Sequence, residues 1–340
     1  NNGDVWSSIA MHEGSVQQLS FLTEHEKDVF KTAYELDQRW IIEHSADRTP
    51  YICQAQSVNL FLPGDVHKRD LPWRTKAGQR VNPYRVWLSE IMLQQTTVQT
   101  VGRYYRAFLK RWPSVGALAS ASLDDVLGEW AGLGYYSRAR NLHRAAHVIA
   151  NDLQGKFPNT AEDLRKLPGV GGYTANAVAA IAFGERVAAM DANAERVIAR
   201  VFAVETPLPG AKTILAQLAV PLVPKDRAGD FAQALMDLGS GICTSRTPDC
   251  RQCPVAKHCE AFAKDIQNIL PRKAAKPERP LKRGAAFVAF DNDGAVYLVK
   301  RPEKGLLGAM LQPPLGEWRA RFPGRDDALR EVPFRGRWTK

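Results

Sequence analysis

Leu167-Pro168-Gly169-Val170-Gly171-Gly172-Tyr173-Thr174-Ala175 is the stretch on which the fold turns. Apolar helical spacing stops at Leu167 and resumes after Gly172, so the segment joins two helices by a glycine-rich turn. Glycines let backbone come close to a ligand, and the second helix begins with N–H groups that its own turns cannot satisfy. Gly169 and Gly171 therefore mark a candidate clamp for a phosphate, gripping a backbone without reading bases. A plain helix–turn–helix with no ligand would read the same way in isolation, so the surrounding chain has to decide.

On both sides of the turn the period is helical. Helices are expected over 84–111, 122–131, 137–154, 161–167, 173–183, 193–204, 211–221 and 228–240, with Asn82-Pro83 as a capping residue and a first-turn proline. Phe21–His44 also has helical spacing, whereas 50–66 reads as extended or looped. Pro271–Pro280 is rich in proline and charge and reads as a linker. Beyond it the period changes to two. Ala285–Phe290 and Ala295–Lys300 alternate like strands around Asp291-Asn-Asp-Gly294, a hairpin signal that opens a small α/β domain.

The chain has 340 residues and a net charge of +10. Residues 1–68 hold five Lys or Arg against ten Asp or Glu, a net of −5, which leaves +15 on the remainder. That asymmetry places a boundary near residue 68 and favours an acidic partner such as nucleic acid for the basic part. No apolar run reaches the ~18 residues of a membrane span, and the first residues lack the basic-then-apolar pattern of a secretory signal.

Four of the five cysteines fall within seventeen residues, as Cys243-x6-Cys250-x2-Cys253-x5-Cys259. Such density outside a secretory context reads as a metal site, and zinc or a [4Fe–4S] cluster would both accept four thiolates. Arg246, Arg251 and Lys257 lie among them and suit either phosphate contacts or a solvated loop face.

Two carboxylates carry candidate chemistry. Glu90 sits in the apolar stretch Val86-Trp-Leu-Ser-Glu90-Ile-Met-Leu, sharing a helix face with Leu93 and Gln94. Burial there would raise its pKa and keep a proton available near neutral pH; an exposed Glu on an amphipathic helix is the plainer alternative. Asp191, in Met190-Asp191-Ala192-Asn193-Ala194, is placed as a helix N-cap.

Ser89-Glu90-Ile91-Met92-Leu93-Gln94-Gln95-Thr96 resembles the most distinctive stretch of the MutY-type adenine DNA glycosylases. The resemblance extends to Arg69-Asp-Leu-Pro-Trp73-Arg74, to Gly132-Leu-Gly-Tyr135-Tyr136-Ser-Arg138, to the glycine turn and to the cysteine spacing. It implies a mainly α, helix–hairpin–helix glycosylase fold with a [4Fe–4S] cluster loop over 69–270. A linker over 271–283 and a partial Nudix-like α/β domain over 284–340 would follow. It further implies an enzyme that removes adenine mispaired with 8-oxoguanine or guanine from duplex DNA, acting as a monomer in the cytoplasm of a bacterium, on the nucleoid, and away from membranes. Glu90 would protonate the adenine and Asp191, beside Asn193, would stabilise the sugar cation. Arg69, Trp73, Arg74 and Leu93 would line the base pocket, while Gln94, Gln95 and Tyr135 would enter the duplex. Cys243, Cys250, Cys253 and Cys259 would hold the cluster.

The related endonuclease III enzymes, which also cut the backbone, carry a catalytic Lys where this chain has Tyr173. A phenol cannot form the Schiff base of a lyase, so Tyr173 implies hydrolysis only. A bifunctional lyase and an inactive DNA binder are the alternatives. Ala192 stands where the family has Gly, and strain is expected if that position needs a positive φ.

Residues 1–68 resemble instead an internal part of the class I ribonucleotide reductase large subunit, without its radical-bearing cysteines; the join at Arg69 reads as a fusion or as a misassembled sequence. At the other end the resemblance stops at Lys340, before the family's base-reading loop, which implies weakened discrimination for 8-oxoguanine.

Overall fold

The computed structural model describes residues 69–76, 79–275, 279–302, 308–321 and 324–333. The expected helix at 21–44, the extended stretch at 50–66 and Cys53 lie outside the described residues. The chain divides into two compact units, one running to Leu133 and from Arg138 to Ala274, the other comprising Gly134–Ser137 and the residues from Ala275 onward.

The first unit is helical. α1 (Pro83–Leu93) starts where Asn82 Oδ1 accepts from the amides of Tyr84 and Arg85, with Pro83 in the first turn. The expectation of one helix over 84–111 is wrong in one respect. The chain breaks at Gln94, Gln95 takes a left-handed backbone (φ 54°), and α2 (Val98–Arg111) restarts with Thr97 as its cap. No Gly or Pro marks that break, so spacing alone could not place it. α3 (Val115–Ala119), a short helix capped by Ser114, was not anticipated, and α4 (Leu123–Glu129) follows. α5 (Ser137–His147) widens into a π-turn at Val148–Asp152.

The glycine turn joins α6 (Ala161–Leu164) to α7 (Gly172–Phe183). α8 (Ala192–Val201), α9 (Lys212–Ala219), α10 (Ala228–Gly241) and α11 (Glu260–Ala263) complete the unit. α7 packs on both α1 and α10, and α8 packs on α10 and α9. Ala177, Ala180, Val197, Ile198, Phe231, Leu235 and Leu238 fill the space between these helices. Each buried Val, Ile, Leu or Phe contributes about 1.5–3 kcal/mol of transfer free energy. Close approach depends on small residues. A Cβ on Gly229 of α10 would lie 2.8 Å from both the carbonyl oxygen of Ala180 and Cα of Ile181 in α7.

In the second unit Phe290 bridges Val296 around Asp291–Gly294, the expected hairpin. Asp291 Oδ1 accepts from the amides of Asp293 and Ala295 and closes the turn. The expected strands are shorter than their alternation suggested. Ala286 bridges Leu315, and among the described residues only β1 (Val299–Lys300) forms a ladder, pairing antiparallel with β2 (Leu311–Gln312). Residues 286 and 290 have different partners, so the first run, 285–290, holds isolated bridges and no ladder. α12 (Arg325–Leu329) follows.

Gly229→Ala should lower stability by about 1–3 kcal/mol, because backbone atoms cannot yield to the added methyl. Gly128→Ala in α4 meets nothing within 4 Å and should raise stability by up to ~1 kcal/mol through helix propensity. Thermal unfolding of the two variants should shift in opposite directions.

Candidate active site

Packing α7 on α1 brings Tyr173 onto Glu90. The phenol donates to Glu90 Oε2 at 2.9 Å and lies 3.9 Å from Met236 Sδ of α10. Glu90 is only 5% exposed. Burial pushes its pKa up from 4.5 to about 7, the bond from Tyr173 pulls it down, the nearby Asp191 charge pushes it up, and Arg74 pulls it down. The exposed-Glu alternative therefore does not hold. Burial and the two carboxylates also raise the Tyr173 phenol well above its usual range, so it stays a donor. Glu90 Oε1 has no hydrogen bond among the described residues and is the oxygen left to carry a proton outward.

Asp191 is half-buried and caps α8, with Oδ1 accepting from the amides of Asn193 (3.0 Å) and Ala194 (2.7 Å) and Oδ2 from Asn193 Nδ2 (2.7 Å). The cap and the site at Glu90 thus coincide. Ala192 is the first residue of α8 and has no positive φ, so the expected strain at this position does not arise. Arg196, one turn on, donates to Asn193 Oδ1 and to the carbonyls of Cys243 and Gly239. Gly239 has to be glycine for α10 to lie this close, since a Cβ there would come within 2.5 Å of Asn193 Cβ.

Arg69 and Arg74 converge on one carboxylate that the sequence did not single out. Asp237 of α10 accepts from Arg69 Nε at 2.6 Å and from both terminal nitrogens of Arg74. The pairing gives donors to both oxygens of a carboxylate that is buried. Trp73 packs edge-on against Tyr105, ring centroids 5.7 Å apart.

Gly169 takes φ +77°, and a Cβ there would lie 2.5 Å from Asn141 Cβ, so the turn requires glycine at this position. Gly171 is exposed with open space around it at the start of α7, leaving the first amides of that helix accessible. Gln94 Nε2 donates to Thr174 Oγ1 at 3.0 Å, tying the end of α1 to α7. Leu93 is half-buried and Gln95 exposed beside it. Tyr135 is 61% exposed, on left-handed backbone (φ 48°).

Cys243, Cys250, Cys253 and Cys259 are unpaired thiols that line one cavity with Val197, Val201, Leu238 and Ile242. Among the described residues no three His, Cys, Asp or Glu side chains converge to hold a single metal ion. Arg200, 1% exposed, lines the same cavity. Its Nη1 lies 3.2 Å from Cys243 Sγ and 2.7 Å from the Thr244 carbonyl, Nε donates to Leu270 O, and Nη2 has no partner among the described residues. Burial pushes the Cys253 thiol up to about 12. Arg246, Arg251 and Lys257 are exposed around the loop.

Residues 88–222 match the family model of the HhH-GPD superfamily base excision DNA repair protein, and residues 2–74 match that of the ribonucleotide reductase barrel domain. The second match bears out the resemblance of the N-terminal segment. It also runs into the stretch bearing Arg69 and Arg74, whose side chains pair with Asp237. The chain is 38% identical over 308 residues to the adenine DNA glycosylase of Homo sapiens, covering 75% of this chain and 56% of that protein. It therefore spans little more than half the length of that relative. It is 34% identical over 239 residues to the adenine DNA glycosylase of Buchnera aphidicola subsp. Baizongia pistaciae, covering 70% of this chain and 67% of that one. Among solved structures it is similar to a thermostable thymine-DNA glycosylase, with 31% identity and a TM-score of 0.55 over 63% of this chain and 97% of the other.

Because Glu90 is raised in the folded state, its contribution to stability is complete below about pH 4.5 and is lost as pH rises through about 7. Glu90→Gln keeps an acceptor for Tyr173 without that loss. The variant should unfold at the same temperature as the parent at pH 4.5. At pH 8 it should be more stable by on the order of 3 kcal/mol, several degrees in Tm. Calorimetry at the two pH values checks this, and equal curves at pH 8 would remove the case for a buried protonated Glu90.

Proposed function

The chain belongs to the adenine DNA glycosylase family, and we propose that it hydrolyses the N-glycosidic bond of adenine mispaired with 8-oxoguanine or guanine in duplex DNA. The observation that carries this reading is Glu90, buried against a phenol with Asp191 nearby, which keeps its proton near neutral pH. Departure of a base needs a proton delivered to it, and the sugar left behind is an oxocarbenium-like cation that a fixed carboxylate stabilises.

In this reading Glu90 is the acid. Asp191, immobilised by three hydrogen bonds, faces the cation. Glu90, once deprotonated, accepts a proton from the attacking water. Tyr173 holds Glu90 in place and, having no amine, performs no lyase chemistry. The amides at Gly169–Gly171 bind phosphate, and Gln94, Gln95 and Tyr135 enter the stack. Adenine is extruded toward Trp73, Leu93, Arg69 and Arg74, where stacking offsets part of the cost of leaving the duplex. The partner is duplex DNA bound by a monomer, and the setting is the bacterial cytoplasm, at the nucleoid.

We assign a [4Fe–4S] cluster to Cys243, Cys250, Cys253 and Cys259. The fit rests on four thiols lining one cavity and on Arg200, whose buried cationic Nη2 points to an anionic occupant. When bound, the cluster cross-links the loop from Cys243 to Cys259 by iron–thiolate bonds. The chain's own Arg196 then holds the Cys243 carbonyl on one side and Asn193 on the other.

Single-turnover excision on a duplex with adenine opposite 8-oxoguanine should yield strands cleaved only after alkali. The rate should fall as pH rises through about 7, where Glu90 loses its proton. Glu90→Gln and Asp191→Asn should each lose at least about 100-fold. Cleavage without alkali would point to a lyase, and duplex binding with no excision to an inactive binder.

A further inference from the structure

A second group at this site has no role in the chemistry described. Arg138, on the first turn of α5, is buried. Its guanidinium stacks over the Trp130 ring, 5.2 Å from the centroid, and that ring is itself fully buried. Nη1 donates to the carbonyls of Ile91 (3.3 Å), Met92 (2.9 Å) and Gln94, while Nη2 donates to Thr96 Oγ1 (3.0 Å) and to the Leu133 carbonyl (3.0 Å). The last carbonyls of a helix lack partners within it and favour a cation. α1 has no basic residue in its own last turn, so a cation from α5 does that work.

What the guanidinium brackets is Gln95. Gln94 O and Thr96 Oγ1 lie on either side of it, and Gln95 sits in the left-handed region that residues with a Cβ seldom adopt. Such a conformation persists only where neighbours over-determine it. The fifth acceptor, Leu133 O, belongs to a loop held from the other side by Tyr104, whose hydroxyl donates to Ala131 O at 2.8 Å.

We propose that Arg138 is a positioning residue that presets the Gln94–Gln95 turn for entry into the DNA stack, so that it controls extrusion of the base and not cleavage of its glycosidic bond. The inference rests on the glycosylase reading for the identity of the inserted turn. Lysine at this position keeps the charge but lacks a planar fork able to hold acceptors on both sides of Gln95.

The test uses the whole chain and two readouts. Base extrusion is followed by the fluorescence of 2-aminopurine in a duplex, and excision by single turnover on adenine opposite guanine and on adenine opposite an abasic site, where no partner base opposes extrusion. Arg138→Lys should slow extrusion, and excision opposite guanine, about tenfold, and change excision opposite the abasic site less than about threefold, with the fall in rate near pH 7 unmoved. Thr96→Val, which removes one anchor and leaves Arg138 intact, should give a smaller loss in the same direction and keeps the test available if the lysine variant does not fold. Gln95→Asn, a residue that takes left-handed backbone more readily, should restore part of the rate in the Arg138→Lys background. Equal losses on both substrates, or no loss of extrusion, would overturn the proposal. A parent chain that extrudes 2-aminopurine but excises nothing would overturn the glycosylase reading alone, with the extrusion comparison still deciding the role of Arg138.

Discussion

α7 can pack on α1 only if a carboxyl is taken out of water, and the architecture of the site follows from that constraint. Glu90 faces the hairpin helix, where Tyr173 donates a single hydrogen bond to it. An ionised carboxylate in such a place costs several kcal/mol unless paired, and one phenol does not offset that. The group responds by holding its proton to about pH 7. Helix packing and acid strength are thus one property, since the apolar contacts that stabilise the bundle are those that desolvate Glu90. A site of this kind is destabilised at alkaline pH by design of its geometry, a cost common where function needs a perturbed group.

Around that acid, arginines do much of the connecting. Arg138 joins the end of α1 to the loop at Leu133, Arg74 and Arg69 hold Asp237 of α10, and Arg196 links Asn193 to the backbone at Cys243. Each guanidinium carries several donors in one plane and can satisfy backbone carbonyls from two elements at once. Glycines complete the arrangement from the other side. Gly229 and Gly239 let α10 approach α7 and α8 closely enough for those bonds to form. The net charge of the chain says nothing of this distinction between arginines that tie helices together and the exposed ones around the cysteine loop.

The helical character of the first unit, the glycine turn, the N-caps at Asn82 and Asp191 and the four clustered cysteines were all legible in the chain, because each depends on residues close in sequence. A cap is read two or three residues away, and a turn within four. The family resemblance added roles for Glu90 and Tyr173 separately, and the bond between them came only with the fold. What stayed hidden was the break at Gln94–Thr97, since nothing local favours a left-handed Gln95; it is imposed by Arg138, over forty residues downstream. Asp237 was hidden for the same reason, as its partners lie 163 and 168 residues away.

The amino-acid sequence by itself therefore determined the helical character of the first unit, where the hairpin lies and which side chains could do acid, cation-stabilising and thiolate chemistry, for those are matters of short-range pattern and residue type. Only the tertiary structure decided what each carboxylate meets. Glu90 holds its proton because its neighbours are apolar helices and a phenol, whereas Asp237 is buried beside two guanidinium groups and Asp191 is held by three hydrogen-bond donors. Protonation depends on local solvation and on charges brought close by folding, and neither is encoded within a few residues of the group that titrates.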